Sequence, residues 1–323
     1  MKIFISHRVQ GQINDLLEPD YEVVMNPHER SLTPDEAVPL MSDADGVLWA
    51  FGKLDKTLID AAPRLRVICC YGAGSDHIDV KHATSRGIVV ANLPDEVTDS
   101  TAELTWALLL AAARRIPEAD RLVRSQEQFR PSLSLMVGTH LAGKQLGIVG
   151  MGRIGAAVAA RAKAFGMSVA YHSRTRKPKY EAAYQMQAMD LPTLLTTSDV
   201  LSLHVPLTEE TRHLIGPAEL ARMKPDAILI NAARGPIVDE QALIEALTHK
   251  RIRAAGLDVY EHEPQVPQAL RELPNVVLSP HIGSATNETR CAMTRAAVRA
   301  IVSVLKGQRP EHVVNPEVYT RSM

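Results

Sequence analysis

Leu146-Gly147-Ile148-Val149-Gly150-Met151-Gly152-Arg153-Ile154-Gly155 stands near the middle of a chain of 323 residues. The apolar run predicts a strand, and it ends directly in Gly-x-Gly-x-x-Gly. Residues 156–165, Ala-Ala-Val-Ala-Ala-Arg-Ala-Lys-Ala-Phe, are strong helix formers. Gly166 fits a helix stop, and Met167-Ser168-Val169-Ala170-Tyr171 reads as the next strand. A strand–helix–strand unit of about 30 residues with this turn is the fingerprint of a dinucleotide pyrophosphate site. Gly150 allows the tight turn, Gly152 lets backbone approach phosphate, and Gly155 brings helix against strand. Arg153 and Ile154 complete the turn, and N–H groups at the helix start favour the phosphate charge. A glycine-rich turn alone is an ordinary connection; the complete unit carries the reading.

The end of the second strand selects the cofactor. A site for NAD normally places an acid there, some 20 residues beyond the first glycine, to hold the ribose hydroxyls. Here His172-Ser173-Arg174-Thr175-Arg176-Lys177 follows, and no carboxylate appears until Glu181. A 2′-phosphate would meet hydroxyls at Ser173 and Thr175 and guanidiniums at Arg174 and Arg176, which suit planar phosphate recognition. The plain alternative is a solvated basic loop. The missing acid favours NADP(H), with NAD(H) possible.

Composition narrows the rest. The length fits two domains of ordinary size. A formal net charge of −1 gives no global basic field for nucleic acid or an anionic membrane. Three cysteines, two of them adjacent at Cys69 and Cys70, make no disulfide framework and fit a reducing compartment. The apolar run around residues 106–113 is far short of a membrane span. A cytoplasmic protein with no nucleic-acid or membrane partner is the expectation. No His-Glu-x-x-His or paired-Cys spacing points to a metal, and no Gly-x-Ser-x-Gly elbow points to a hydrolase.

Short apolar runs at 2–6, 21–24, 46–50, 65–70 and 88–91 alternate with helical stretches at 9–17, 33–41 and 55–62. This predicts a parallel α/β unit. Ser100-Thr101-Ala102-Glu103 resembles a capping box opening a long helix to Arg114, whereas 118–140 reads as polar and irregular. Later strands are expected at 186–188, 200–204, 227–231, 254–259 and 276–278, and one amphipathic helix at 288–305. If that last helix returns to the first domain, the fold is α/β with two parallel-sheet, Rossmann-like domains. The nucleotide domain, 98–287, is then inserted into a discontinuous substrate domain, 1–97 with 288–323. The two crossings would form a hinge around a cleft.

Polar residues cluster just past three of these strands, where open α/β sheets bind ligands. They are Asn231-Ala232-Ala233-Arg234-Gly235, then Asp258-Val259-Tyr260-Glu261-His262-Glu263-Pro264, then Ser279-Pro280-His281-Ile282-Gly283-Ser284. A histidine held by a carboxylate is a competent proton donor. An arginine nearby can fix a substrate carboxylate through paired hydrogen bonds. Each has a plainer role open to it: Arg234 could pair with Asp239, and Glu263 could simply start a loop.

Together Gly150–Gly155, the Asn231–Gly235 segment with Val238-Asp239-Glu240, the 256–264 segment and the 279–284 segment resemble the D-isomer-specific 2-hydroxyacid dehydrogenases. The likeness covers essentially the whole chain, nearest to the glyoxylate/hydroxypyruvate reductases, including those that reduce 2-ketogluconate. The resemblance implies reduction of a small 2-ketoacid. Arg234 would bind the substrate carboxylate, His281 would be the acid/base and Glu263 its partner. Asp258 would orient the nicotinamide amide. Backbone N–H groups of Ala73 and Gly74 would grip the carboxylate, and Thr101, His204, Val205, Pro206, Ala232 and Gly283 would line the cofactor. It further implies a homodimer built by the nucleotide domain and the arm after Arg115. Some relatives are corepressors that sense dinucleotides, the alternative of another class. The stretch 126–129 departs from the many relatives with a tryptophan there, which leaves substrate choice open.

Overall fold

The computed structural model describes residues 1–323 apart from 12, 14, 15, 126–128 and 321–323. The chain forms two compact units, Met1–Val97 with Ser284–Met323, and Thr98–Gly283.

In the first unit the strands are β1 (Lys2–Ile5), β2 (Glu22–Met25), β3 (Gly46–Trp49), β4 (Val67–Cys70) and β5 (Val89–Ala91). They form one parallel sheet in the order β2-β1-β3-β4-β5. Between them lie α1 (Pro34–Met41), α2 (Lys56–Asp60) and α3 (Val80–Ser85), capped by Thr33, Asp55 and Asp79. Each cap accepts an N–H that the first helical turn leaves unpaired. Both faces of the sheet are covered, so its strands read as unbroken apolar runs. Ile3, Ile5 and Cys69 face one core, and Phe4, Ile68 and Cys70 face the other.

The second unit opens with α4 (Thr98–Ala113) and α5 (Ile116–Arg124). There follow β6 (Gln145–Val149), α6 (Arg153–Ala162), β7 (Ser168–His172), α7 (Pro178–Tyr184), β8 (Gln187–Ala188) and α8 (Leu191–Thr197). The other half holds β9 (Val200–Leu203), α9 (Pro217–Arg222), β10 (Ile228–Asn231), α10 (Glu240–Thr248), β11 (Ala254–Leu257), α11 (Gln268–Glu272) and β12 (Val276–Leu278). The sheet is parallel throughout, in the order β12-β11-β10-β9-β6-β7-β8. Strand order reverses between β6 and β9, and such a switch point opens a crevice at the carboxyl ends of the strands. The last helix, α12 (Asn287–Leu305), is capped by Thr286 and packs Met293, Ala297, Val298 and Ile301 into the first unit's core.

Three expectations need correction. The helix expected over 9–17 falls partly on residues 12, 14 and 15, outside the described residues. The described remainder is bends and one tight turn, with Gly11 at φ +92°, where no α-helix continues. The capping box at Ser100 is not the helix start: α4 begins at Thr98, so Ser100 is buried inside it and Glu103 faces Arg161 at 3.8 Å. The span 118–140 is not wholly irregular, because α5 runs to Arg124. None of its residues is buried, so its apolar side chains, Ile116 and Val123 among them, are exposed and not packed on a core.

Candidate active site

Because the sheet is parallel, its register sets residues from different loops side by side. Val149 pairs with Leu203, Leu203 with Asn231, Asn231 with Leu257, and Leu257 with Leu278. The next residue on each strand therefore opens a loop on the same edge: Gly150, His204, Ala232, Asp258 and Ser279. All three polar segments singled out in the sequence lie on this edge.

The turn after β6 fits a phosphate. Gly150 has φ +99°, and a Cβ there would lie 2.5 Å from the His204 carbonyl and 2.8 Å from Val205. A Cβ on Gly155 would lie 2.2 Å from the Gly150 carbonyl, so helix and turn touch. Gly152 differs. Its backbone is extended and a Cβ would meet nothing within 4 Å, so the fold itself does not demand glycine there. That open space lies at the start of α6, whose first turn has no side-chain cap, as an anion site on a helix N-terminus requires.

Arg234 sits in the turn after β10. Asn231 holds this turn, its Nδ2 donating to the Arg234 carbonyl at 2.9 Å and its Oδ1 accepting from the Ala233 N–H at 3.1 Å. A Cβ on Gly235 would overlap the Tyr260 carbonyl at 1.8 Å, which presses the Arg234 turn against the loop after β11. The pairing of Arg234 with Asp239 does not occur; the Asp239 carboxylate instead caps α10, accepting from the Ala242 N–H at 2.9 Å.

His281 and Glu263 meet directly, with Nδ1 2.8 Å from a Glu263 carboxylate oxygen. The other oxygen of Glu263 accepts the Tyr260 N–H at 3.0 Å, so the carboxylate is oriented before any ligand arrives. Burial pushes the Glu263 carboxyl up. The hydrogen bond and charge of His281, the Tyr260 N–H and the charge of Arg234 outweigh that and hold it below its usual value. The Nδ1 contact with Glu263 fixes the orientation of the ring. His281 has φ +54°, an uncommon backbone state outside glycine.

Asp258 maintains that state. Its carbonyl accepts the His281 N–H at 2.8 Å, and its carboxylate accepts Ser279 Oγ at 2.6 Å and the N–H groups of Ile282 and Gly283 at 2.8 and 2.9 Å. The group is 1% exposed, and burial raises its pKa against the pull of those donors and of His281. Asp258 thus shapes the histidine loop from beneath. Tyr260 and Ser279 belong to the same frame, the Tyr260 hydroxyl donating to the Ser279 carbonyl at 2.9 Å, although neither had a role in the sequence reading. Their adjacency follows from the pairing of β11 with β12, which residue types alone do not disclose. Thr101 of α4 borders this edge, its hydroxyl 3.3 Å from where a Gly283 Cβ would stand.

The loop after β7 is exposed at Arg174, Thr175 and Arg176 and half-buried at Ser173. Arg176 is paired: its guanidinium donates to both oxygens of Glu181, which also accepts the Tyr171 hydroxyl at 2.6 Å. The Glu210 carboxyl is lowered chiefly by the Thr208 side-chain hydrogen bond and its own backbone, with the charge of Arg174 a small further pull. In the other unit, Ala73 and Gly74 occupy the turn after β4.

This chain is matched over residues 106–283 by the family model described as D-isomer specific 2-hydroxyacid dehydrogenase, NAD binding domain. It is 46% identical to a glyoxylate reductase of Thermococcus litoralis, over 99% of this chain and 98% of that one. A solved structure of a Thermus thermophilus protein matches at TM-score 0.90 and 41% identity, covering 97% of this chain and 100% of that one. An NADPH-dependent glyoxylate/hydroxypyruvate reductase of Sinorhizobium meliloti, solved with NADP and malonate, matches at TM-score 0.83 and 35% identity. That match covers 97% of this chain and 96% of the other.

His204, after β9, provides a test of the site's electrostatics. Its Nε2 lies 2.8 Å from Ser202 Oγ, and burial lowers its pKa to about 4. The unfolded chain takes up this proton near 6.5 and the folded one only near 4, so the unfolded state gains as pH falls between those values. His204→Gln is expected to flatten the decline of Tm across that window, followed by thermal unfolding at a series of pH values. Equal slopes in the two proteins would contradict a neutral His204 in the folded chain.

Proposed function

Because the chain belongs to the D-isomer specific 2-hydroxyacid dehydrogenase family, we propose that it is an NADPH-preferring reductase of small 2-ketoacids, with glyoxylate and hydroxypyruvate as substrates. The observation that carries this reading is the His281–Glu263 pair at 2.8 Å, with the Arg234 charge acting on the same carboxylate. The names of the similar reductases support the choice of substrates.

When bound, the reduced nicotinamide supplies a hydride for the keto carbon. Arg234 takes the substrate carboxylate and polarises the keto group, which its planar fork suits. His281 delivers the Nε2 proton to the oxygen as negative charge develops there, so the ketone becomes a hydroxyl and the imidazole is left neutral. Glu263 holds the ring through Nδ1. Asp258 keeps the histidine loop in place and orients the nicotinamide amide. In the other unit, the N–H groups of Ala73 and Gly74 suit a carboxylate of the same kind. Gly150, Gly152, Arg153, Ile154 and Gly155 take the pyrophosphate, and Thr101, His204, Val205, Pro206, Ala232 and Gly283 line the cofactor.

Preference for the 2′-phosphate rests on Ser173, Arg174, Thr175 and Arg176 and on the missing acid after β7. Of the two arginines, Arg174 has the greater share, since Glu181 already neutralises Arg176. A homodimer is supported by the apolar surface of the segment after Arg115: Ile116, Val123, Leu133 and Val137 are all more than half exposed. A cytoplasmic location belongs with the same reading. The three cysteines form no disulfide, and among the described residues no helix is long and apolar enough to cross a membrane.

His281→Ala is expected to lower kcat for glyoxylate reduction by about 10²–10⁴ while leaving the Kd for NADPH nearly unchanged. A steady-state panel of glyoxylate, hydroxypyruvate and 2-ketogluconate reads this, and near-native kcat would remove His281 from the chemistry. Arg174→Ala should raise KM for NADPH roughly tenfold with little effect on NADH, as the loss of one charge-assisted hydrogen bond implies, with Arg176→Ala the milder change. Equal effects on both cofactors would make the loop a solvated charge run. Leu133→Glu is expected to shift the molecular mass in sedimentation velocity from dimer to monomer; a wild-type monomer would refute the dimer.

A further inference from the structure

The turn Gly72-Ala73-Gly74 after β4 has three consecutive carbonyls, and each is held from within the first unit. Gly72 O accepts the Leu93 N–H at 2.8 Å, Ala73 O accepts the Asn92 side-chain amide at 2.7 Å, and Gly74 O lies 3.0 Å from the Cys70 thiol. In a planar trans peptide the carbonyl of one residue and the N–H of the next point in opposite directions. Tying these carbonyls inward therefore turns the N–H groups of Ala73, Gly74 and Ser75 the other way. Neither the Ala73 nor the Gly74 N–H donates to a described residue, and the Ala73 side chain packs on the core that includes Leu93 and Val97. The frame around the turn is stiff as well, with Tyr71 N–H on Trp49 O at 2.8 Å and the Tyr71 hydroxyl 2.8 Å from Thr294 Oγ1.

Of the three tethers, Leu93 N–H is backbone and a thiol is a weak donor. The middle one is a half-buried side-chain amide, and it fixes the peptide that carries the Gly74 N–H. We propose that Asn92 is a positioning residue for substrate binding, holding the Ala73 carbonyl so that the Ala73 and Gly74 N–H groups converge on a carboxylate. This rests on the 2-ketoacid reading above. Asn92 touches neither substrate nor cofactor in this account. Its loss lets the peptide plane turn, and the paired donors become one.

The experiment compares wild type with Asn92→Ala and Asn92→Asp, the latter nearly isosteric but an acceptor alone at neutral pH. Calorimetric titration of the NADPH-loaded enzyme with oxalate, a dead-end dicarboxylate, is run beside glyoxylate kinetics. Both variants are expected to weaken oxalate and to raise KM for glyoxylate by about tenfold, the loss of one substrate hydrogen bond, with Asn92→Asp the worse. The kcat at saturation should stay within about twofold and the Kd for NADPH unchanged, a split typical of lost ground-state binding. Unchanged KM and oxalate affinity would overturn the proposal, as would a parallel loss of kcat and NADPH binding. If Asn92→Ala fails to fold, Asn92→Asp and Asn92→Ser are judged by the same readouts. A wild type that neither reduces glyoxylate nor binds oxalate would instead refute the parent reading, so the two failures are distinguishable.

Discussion

Everything at the candidate site depends on the in-register parallel pairing of β6, β9, β10, β11 and β12. Parallel strands run the same way, so five loops distant in sequence open on one edge. A one-residue slip of any strand would turn its side chains to the opposite face and displace its loop. Such a slip is opposed by packing on both faces, with Leu201, Leu203, Leu229 and Leu257 in one core and Val200, Ile228, Ile230 and Ala254 in the other. The apolar cores thus determine where the polar residues stand.

Upon that row sits a second constraint, the buried carboxylate of Asp258. An ionised group removed from water is costly unless donors replace the lost hydration. Here a hydroxyl and two backbone N–H groups do so, and all three come from the loop that carries His281. The need to satisfy one buried charge therefore dictates the course of Ser279 to Gly283, including the left-handed backbone at His281. Glu263 reaches the same histidine from the β11 side with its own orientation set by Tyr260. Charged side chains are thus gathered around His281 on a hydrogen-bonded scaffold.

The first unit applies the same logic with the opposite sign. Its turn after β4 holds carbonyl groups inward and presents N–H groups, so it suits an anion without any charged side chain. Backbone donors of this kind do not titrate. The His281–Glu263 pair in the second unit consists instead of ionisable side chains.

The apolar runs, the glycine turn and the long last helix were legible in the sequence because they express local rules: periodic burial, turn geometry and helix propensity. Those rules also yielded two parallel-sheet α/β units and brought Arg234, Glu263 and His281 forward as candidates. The helix α5 escaped because charged residues and a proline break up its short apolar pattern, and the start of α4 was misplaced because Ser100 satisfies a local capping pattern that burial overrides. That Asp258 braces the histidine loop, that Glu181 occupies Arg176, and that Asn92 reaches the Ala73 carbonyl were decided by tertiary structure alone. Each joins groups whose proximity arises from how strands, turns and helices pack, a matter of spatial register that spacing along the chain does not encode.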